Sequence, residues 1–254
     1  MANPEHLALL RLGVIAWNEW REENPEVLLN FYQADLSHAE LSEANLSGAN
    51  LTEANLTGAN LSGTDLNRAS LRRANLSGAN LNGVNLEAAD LEEVNLSGLT
   101  LSGLNLSMAY LQRANLSGAD LSDANLSSAN LSGANLSGVN LRGANMWGTT
   151  LCEANLEEVN LEGINLEEAN LSGANLTGAN LSGANLEFAY LGEANFSRAN
   201  LSRANLRTAN LEGANLEGAN LEGANLEEVN LEGANLEGVD LKGVSLEKIT
   251  SELS

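Results

Sequence analysis

Histidine, cysteine and carboxylate side chains are the groups that could carry catalysis or bind a metal in this chain. The sequence has two histidines, His6 and His38, and one cysteine, Cys152. These three residues do not make the N/S ligand set of a zinc site, and a redox pair would need a second cysteine. No glycine-rich phosphate-binding motif occurs. We therefore expect no enzyme activity, no metal and no cofactor, with His6 and His38 as ordinary surface residues.

A second group consists of large side chains suited to contact with a protein. Aromatic residues make up only 4% of the chain, yet several stand in five-residue segments that are spaced 40 residues apart. Tyrosine and tryptophan are frequent anchors of protein interfaces, so this recurrence predicts a partner-binding face. The alternative is that these positions simply tolerate larger residues. The residues concerned are Met108, Tyr110, Trp147, Thr150, Phe188 and Tyr190.

Acidic side chains form the third group. The chain has 34 acidic and 12 basic residues, for a formal net charge of −22. Direct binding to nucleic acid is not expected, because phosphates require lysine and arginine. The strongest concentration lies in residues 209–240, which contain no base. This acidic patch comprises Glu212, Glu217, Glu222, Glu227, Glu228, Glu232, Glu237 and Asp240.

All three groups are embedded in a five-residue repeat. From Leu36 to Leu246 every fifth residue is leucine except Met146 and Phe196. A small residue, usually alanine, stands two places before each leucine, asparagine usually stands between them, and Ser-Gly often follows. A five-residue period fits neither a helix nor a continuous strand. It predicts a three-residue strand with alanine and leucine inward, followed by a turn in which glycine supplies a positive φ.

The number of sides follows from a longer period. Glycine content at the turns and the size of the inward residues both vary with a period of 20 residues, or four units. This predicts a square coil. At about 4.8 Å per coil, the chain would form about 11 coils and a rod about 50 Å long. Units 40 residues apart then lie two coils apart on one side, so the large side chains would form a stripe about 20 Å long.

The tandem Ala-Asn-Leu-x-x units resemble the pentapeptide repeat protein family. This resemblance covers residues 29–249 and implies an all-β solenoid, a right-handed quadrilateral β-helix. It also implies a family that is widespread in cyanobacteria and mostly of unknown function. One subset protects or inhibits DNA gyrase by resembling DNA. The segment 13–25 resembles a leader that precedes cyanobacterial repeats.

The two ends of the repeat differ. Residues 1–28 predict a capping α-helix and connector, with Asn3 and Pro4 at its start and Leu7, Leu10, Val14 and Trp17 on one face. Residues 29–249 are the β-helix and residues 250–254 a tail. Ile249 and Leu253 would cover the last coil only thinly, which predicts weak self-association at that end. We expect no membrane segment, no signal peptide and a cytoplasmic protein.

These observations favour a non-catalytic scaffold or regulator that binds an unknown protein partner through one outer face. The alternative is an acidic DNA mimic that binds and inhibits or protects DNA gyrase or another topoisomerase. The acidic patch would carry about one charge per 1 Å of rod, compared with about one per 1.7 Å of duplex DNA. Solubility alone would also explain these acids.

Overall fold

The computed structural model describes residues 1–244, which form two helices followed by a β-helix. Helix α1 spans Pro4–Leu10 and helix α2 spans Val14–Glu23. Ordered parallel pairing then runs from Asn30 to Asp240. The predicted tail at 250–254 and the thin cover predicted from Ile249 and Leu253 lie outside the described residues.

Each five-residue unit contributes one bridging residue to a parallel ladder. Asn60, for example, donates its N–H to the C=O of Ala39, and Leu61 donates to the C=O of Asn80. Bridges link residues 20 apart throughout, as from Asn180 to Asn200. This interval agrees with the predicted four-unit period. Within one unit, the N–H groups of Asn60, Leu61 and Gly63 all bond to neighbouring coils, to the C=O groups of Ala39, Asn80 and Asn82.

Leucine and alanine side chains fill the axis of the β-helix. Leu46, Ala49 and Leu51 are fully buried, as are Met146 and Phe196 at the two places where leucine is replaced. The asparagine between each alanine and leucine points outward because successive side chains of an extended segment alternate. The repeat therefore builds one continuous hydrophobic core along the axis of the rod.

Every corner of the coil has the same left-handed backbone. From Gln33 to Gly243 the third residue of each turn has φ between 54° and 74°, whether or not it is glycine. Hydrogen bonds such as Ala44 N–H to Leu41 C=O close the turns. Non-glycine residues such as Glu43 and Phe188 adopt this conformation too, at an expected cost of about 1–2 kcal/mol each. Pairing between coils therefore imposes the turn, and glycine lowers the conformational free-energy cost of its left-handed backbone.

Outward asparagine side chains connect the coils. The side-chain oxygen of Asn45 accepts a hydrogen bond from the N–H of Ser47, two residues later. The side-chain amide of Asn80 donates to the side-chain oxygen of Asn60 in the coil before, at 3.1 Å. Both interactions recur along the rod, so the outward asparagines link neighbouring coils and hydrogen-bond the local turns.

The segment before the repeat contains two helices where the sequence predicted one. The break lies at Gly13, whose φ of 104° is incompatible with a helix. The Asn3 side chain caps α1 by accepting from the N–H of Glu5, as predicted. The apolar stripe contributes to packing on both sides of the break, since Leu10 and Trp17 are buried.

Helix α2 attaches to the β-helix through buried contacts. Trp17 is fully buried, and its indole N–H donates to the C=O of Asn45 at 2.8 Å. The Asn18 side chain donates to the C=O of Glu43 and accepts from the N–H of Asn45. The rings of Trp17 and Phe31 lie 5.7 Å apart between centroids. These contacts fix α2 against the first coils.

His6 is a buried residue, and the expectation that it lies on the surface is wrong. Its Nδ1 accepts a hydrogen bond from the N–H of Asn30 at 3.2 Å, and its ring contacts those of Trp20 and Phe31. Burial lowers the pKa of His6, Glu5 raises it, and the charge of Arg21 lowers it further. The neutral imidazole is therefore the form that fits this site.

Acidification is expected to weaken the attachment of α1. Because the pKa of His6 is lowered in the folded protein, its contribution to stability is complete above the ordinary histidine value of about 6.5 and is lost as pH falls toward the lowered value. Urea unfolding, followed by tryptophan fluorescence in a Trp147→Phe background, should show this loss between about pH 7.5 and pH 5.0. His6→Gln, which keeps an acceptor but does not titrate, should remove the dependence. Equal dependence in both proteins would contradict the assignment.

Among residues 1–244, no helix has the length and apolar character needed to cross a bilayer.

Pairing between coils is interrupted at two places. Bridges are absent between Asn75 and Asn95, between Asn80 and Thr100, and again between Asn140 and Asn160, within the part of the chain that the structure describes. At the first place, one coil carries bulky inward residues in three consecutive units, Val94, Leu99 and Leu104. At the second, Val139, Val159 and Ile164 cluster in adjacent coils, and a depression of about 420 Å³ opens there. We infer that these bulky side chains wedge the coils apart.

Both openings include a missing bridge on the same side of the rod, and the first also interrupts the adjacent ladder between Asn75 and Asn95. We call the ladder running from Glu40 through Asn80 and Asn140 to Asp240 the opposite side, because it lies half a coil from the ladder of Tyr110 and Tyr190. On that second ladder the bridges Asp90–Tyr110 and Asn130–Thr150 remain intact. The two ladders therefore differ in the continuity of their pairing.

Candidate protein-interaction surface

The structure places the predicted large residues on one side of the rod. Unbroken bridges connect Tyr110 through Asn130, Thr150 and Asn170 to Tyr190. Four coil spacings separate the two tyrosines, or about 19 Å. We call this ladder, from Asn30 to Asn230, together with the turn residues on either side of it, the aromatic side. Its large side chains are Met108, Tyr110, Trp147, Phe188 and Tyr190.

These large side chains are open to solvent. Their exposed fractions range from 40% for Trp147 to 57% for Tyr190. Thr150 lies between the tyrosines and is half-buried. Its neighbour Thr149 points inward, is fully buried, and donates to the C=O of Met146 at 2.8 Å. The exposed apolar surface on this side of the rod therefore comes from side chains that lie outside the hydrophobic core.

The aromatic side lacks the asparagine ladder found elsewhere. Side-chain amide bonds between successive coils recur on the other three sides, as from Asn115 to Asn95 and from Asn225 to Asn205. On the aromatic side of the described residues, one such asparagine pair occurs, from Asn230 to Asn210. Asparagine is replaced at five of the eleven places, by Ser70, Asp90, Tyr110, Thr150 and Tyr190, and these replacements isolate Asn130 and Asn170 from other asparagines on the ladder. This side has exchanged ladder bonds for varied side chains.

Ion pairs lie at both ends of the stripe of large residues. Toward the N-terminus, Arg72 contacts Glu92 at 2.8 Å and Arg73 contacts Glu93 at 2.6 Å. The hydrogen bond from Arg73 lowers the pKa of Glu93. Toward the C-terminus, Arg207 contacts Glu187 at 2.8 Å. Exposed pairs of this kind contribute little to stability, so they serve mainly to set the charge pattern around the stripe.

A depression of about 570 Å³ lies beside the C-terminal end of the stripe. It follows the corner next to Tyr190, and its lining includes Gly192, which carries no side chain, and Asn210, the bridge partner of Tyr190. Sequence reasoning did not predict this feature. Its signal was Gly192 itself, which stands outside the usual glycine place of the repeat.

The acidic patch does not form one surface. Its eight residues occupy all four corners of the rod as well as one ladder, as the 20-residue period requires. Glu222 lies 3.6 Å from Lys242, and Glu227 lies 3.6 Å from Arg207. Neighbouring coils therefore supply bases to two of the eight acids. Glu212 and Glu232 occupy the same corner in successive coils, and residues 213–231 contain no lysine or arginine.

The structure shows no preformed metal centre among residues 1–244, where no group of three or more His, Cys, Asp and Glu side chains could hold an ion. Cys152 is a half-buried free thiol, and burial raises its pKa. His38 stands at a corner with φ of 56° and is exposed, whereas His6 is buried. These residues assemble no nucleophile with a base.

The chain belongs to the pentapeptide repeat family. The model of that family, described as pentapeptide repeats, matches in 8 copies. The matched segments are 30–68, 69–107, 109–148, 134–173, 153–187, 179–218 and 209–247. Members fold as right-handed quadrilateral β-helices, which agrees with the 20-residue pairing described above.

Solved structures include similar chains. HetL, a pentapeptide repeat protein involved in heterocyst differentiation regulation from the cyanobacterium Nostoc sp. strain PCC 7120, is 39% identical over 77% of this chain and 88% of HetL, with a TM-score of 0.54. QnrB1, a plasmid-mediated fluoroquinolone resistance protein, is 19% identical over 87% of this chain and 92% of that structure, with a TM-score of 0.43. No curated protein matches the chain significantly.

Proposed function

We propose that this chain is a non-catalytic scaffold or regulator that binds a protein partner through its aromatic side. The observation that carries the proposal is the exposure of Tyr110, Trp147 and Tyr190 on the side that gives up the asparagine ladder. Exposed aromatic residues with no packing role are the usual anchors of protein interfaces. The similarity to HetL, which is involved in regulating differentiation, supports a regulatory role.

The shape of the rod suits this role. A repeat of this length gives about 11 coils and about 50 Å of rod, with residues 1–28 covering its first coil. Such a cap keeps the open end of the leucine core from associating with other chains. The unbroken ladder from Tyr110 to Tyr190 holds the exposed aromatic residues on one side of the rod. Extended faces of this kind are the surfaces that solenoid proteins offer for binding.

The direct test is to change Tyr110, Trp147 and Tyr190 together to alanine. Hot-spot residues contribute about 2 kcal/mol each, so the affinity for a captured partner should fall by at least about 100-fold. The measurement is capture of partners from a native host lysate on immobilised protein, followed by titration of the captured protein. Circular dichroism should stay unchanged, because none of the three side chains is in the core.

A matched control carries three changes away from the aromatic side. Arg142, Glu162 and Lys242 are exposed residues on one corner of the opposite side. Changing them together to alanine should leave capture intact. If the aromatic variant captures partners as well as the wild type does, the aromatic side is not the binding surface.

The alternative function is DNA mimicry directed at gyrase or another topoisomerase. The charge of −22 supports it, whereas the distribution of the acidic patch over all corners and its pairing with Arg207 and Lys242 weigh against it. The same capture separates the two functions. A DNA-handling enzyme that elutes early in a salt gradient and ignores the aromatic variant would favour mimicry, since long-range charge attraction is screened by salt.

A further inference from the structure

The helical cap replaces a preceding coil on only two of the four sides of the first coil. On the side of Asn30, the backbone N–H donates to the Nδ1 atom of His6, and the C=O accepts from the N–H of Asn3. On the side of Asn45, two side chains of α2 satisfy the backbone N–H and C=O. The backbone groups of these two sides are therefore paired.

The other two sides of the first coil are those of Asp35 and Glu40. Within residues 1–244, the backbone N–H and C=O groups of these two residues have no hydrogen-bond partner. One coil later, the same two groups of Asn60 bond to Ala39 and Leu41 of the coil before. The unpaired groups of the first coil thus form an open strand edge, which can pair with an added extended segment.

A groove of about 360 Å³ lies at this open edge, since both edge residues line it. Its lining includes Leu36 and Leu41, which are buried, and the half-buried Ala39. Leu7 and Leu10 of α1 line it as well. The cap therefore covers the leucine core on these sides and leaves the backbone edge open. Backbone pairing together with an apolar surface for alternate side chains is how an added β-strand binds.

The sequence after the last described residue contains a segment with suitable residues. Leucine keeps its place in the repeat as far as Leu246, and the apolar residues that follow are Ile249 and Leu253. Residues four places apart lie on one face of an extended segment. Lys248 stands beside Ile249, and the open edge carries two carboxylates, so the charges are complementary at this point.

This segment cannot reach the groove of its own chain. Glu40 and Asp240 lie on one side of the rod, ten coils of 20 residues apart, or about 48 Å. Ile249 follows the last described residue by five residues, which span at most about 18 Å when fully extended. Leu253 follows it by nine residues, which span at most about 32 Å. A segment of this sequence that fills the groove must come from a second copy.

We propose that the groove at the start of one rod receives residues 247–253 of a second copy. The copies then associate head to tail, so each associated pair still has one free groove and one free segment. Contacts of this kind do not close, and longer series form as the concentration rises. The groove lies away from the ladder of Asn30, so association leaves the aromatic side uncovered. This inference goes beyond the proposed function and does not depend on it.

Sedimentation velocity of the full chain measures this association. The wild type should exceed its monomer mass of 26.6 kDa increasingly between about 1 µM and 1 mM. Glu40→Pro removes an edge N–H that no residue of the described chain accepts, and proline is tolerated on edge strands. It should weaken association at least about 10-fold. Glu40→Ser, which loses the same carboxylate but keeps the N–H, is the matched control and should associate more strongly than Glu40→Pro.

A second variant changes the segment instead of the groove. Ile249→Ser combined with Leu253→Ser removes the apolar side chains and should also give monomers. Mixing this double variant with Glu40→Pro then tests the head-to-tail arrangement, because one protein keeps a working groove and the other a working segment. The mixture should form 1:1 dimers and nothing larger. Circular dichroism of each variant checks that the fold is retained.

The proposal is overturned if the wild type stays monomeric over this range, if Glu40→Pro associates like Glu40→Ser, or if the mixture stays monomeric. Monomers of the double variant with Glu40→Pro unaffected would also overturn it, in favour of pairing between two copies of the segment. The variant that changes Tyr110, Trp147 and Tyr190 to alanine should associate like the wild type. Failure of this inference therefore leaves the capture experiment and the proposed function unaffected.

Discussion

Changing Trp17 to alanine is expected to lower the free energy of unfolding by about 3–5 kcal/mol. The side chain is fully buried between α2 and the first coils, and its ring contacts those of Trp20 and Phe31. Its removal leaves a cavity and also deprives the C=O of Asn45 of its donor. Both losses occur at the start of the rod, where no preceding coil can compensate.

The measurement is urea unfolding followed by far-UV circular dichroism, combined with hydrogen exchange. Because solenoids can unfold from an end, the amides of Phe31 and Leu36 should lose protection before those of the middle coils. Ile15→Ala is the matched control, since Ile15 lies on the same helix but is 79% exposed; its effect should stay within about 0.5 kcal/mol. Equal unfolding midpoints for Trp17→Ala and wild type would show that the helices do not stabilise the first coils.

The second large effect concerns the two openings on the opposite side. The N–H groups of Thr100 and Asn160 have no acceptor in the coil before, although both lie in the middle of the rod. Their opening free energies should be close to zero, as in fraying segments. The amides of Tyr110 and Thr150, bonded to Ala89 and Ala129 at 2.9 Å, should exchange only with large-scale opening. Residue-resolved hydrogen exchange distinguishes these groups directly.

The same experiment tests whether bulky inward residues separate the coils. If bulky inward residues separate the coils, then Val139→Ala, Val159→Ala and Ile164→Ala together should close the second opening. Protection at Asn160 should then rise toward that of Asn180, whose N–H already bonds to the coil before it. Thr100, in the first opening, is the internal control and should not change. If Asn160 stays unprotected in the variant, the bulky residues are not the cause.

The repeat made most of the fold predictable, because each unit repeats one conformational choice many times. A leucine at every fifth place excludes a helix and a continuous strand, and the glycine-poor corners locate the sides of the coil. The break at Gly13 and the burial of His6 were not predictable in the same way. Both depend on how a short segment packs on the first coils, and no periodicity reports such packing.

The aromatic side was predictable in position, because Tyr110 and Tyr190 share one column of the 20-residue period. The depression at Gly192 and the two interruptions in the pairing were not predicted, although the residues beside them are visible in the sequence. Leu99 and Ile164 appear in the sequence as larger inward residues. Their effect depends on whether neighbouring coils can accommodate the added volume, which is a property of the stack and not of any unit.

The pairing of residues 20 apart also limits how such a gene can change in length. Loss or duplication of a single unit would rotate every later side chain by a quarter turn, moving Tyr190 off the side of Tyr110 while leaving each coil well formed. Gain or loss of four units would preserve the sides and change only the distance between features. Inherited length variation that keeps the aromatic side intact should therefore occur in steps of whole coils. The aromatic side depends on the number of repeat units between its residues as well as on the identity of those residues.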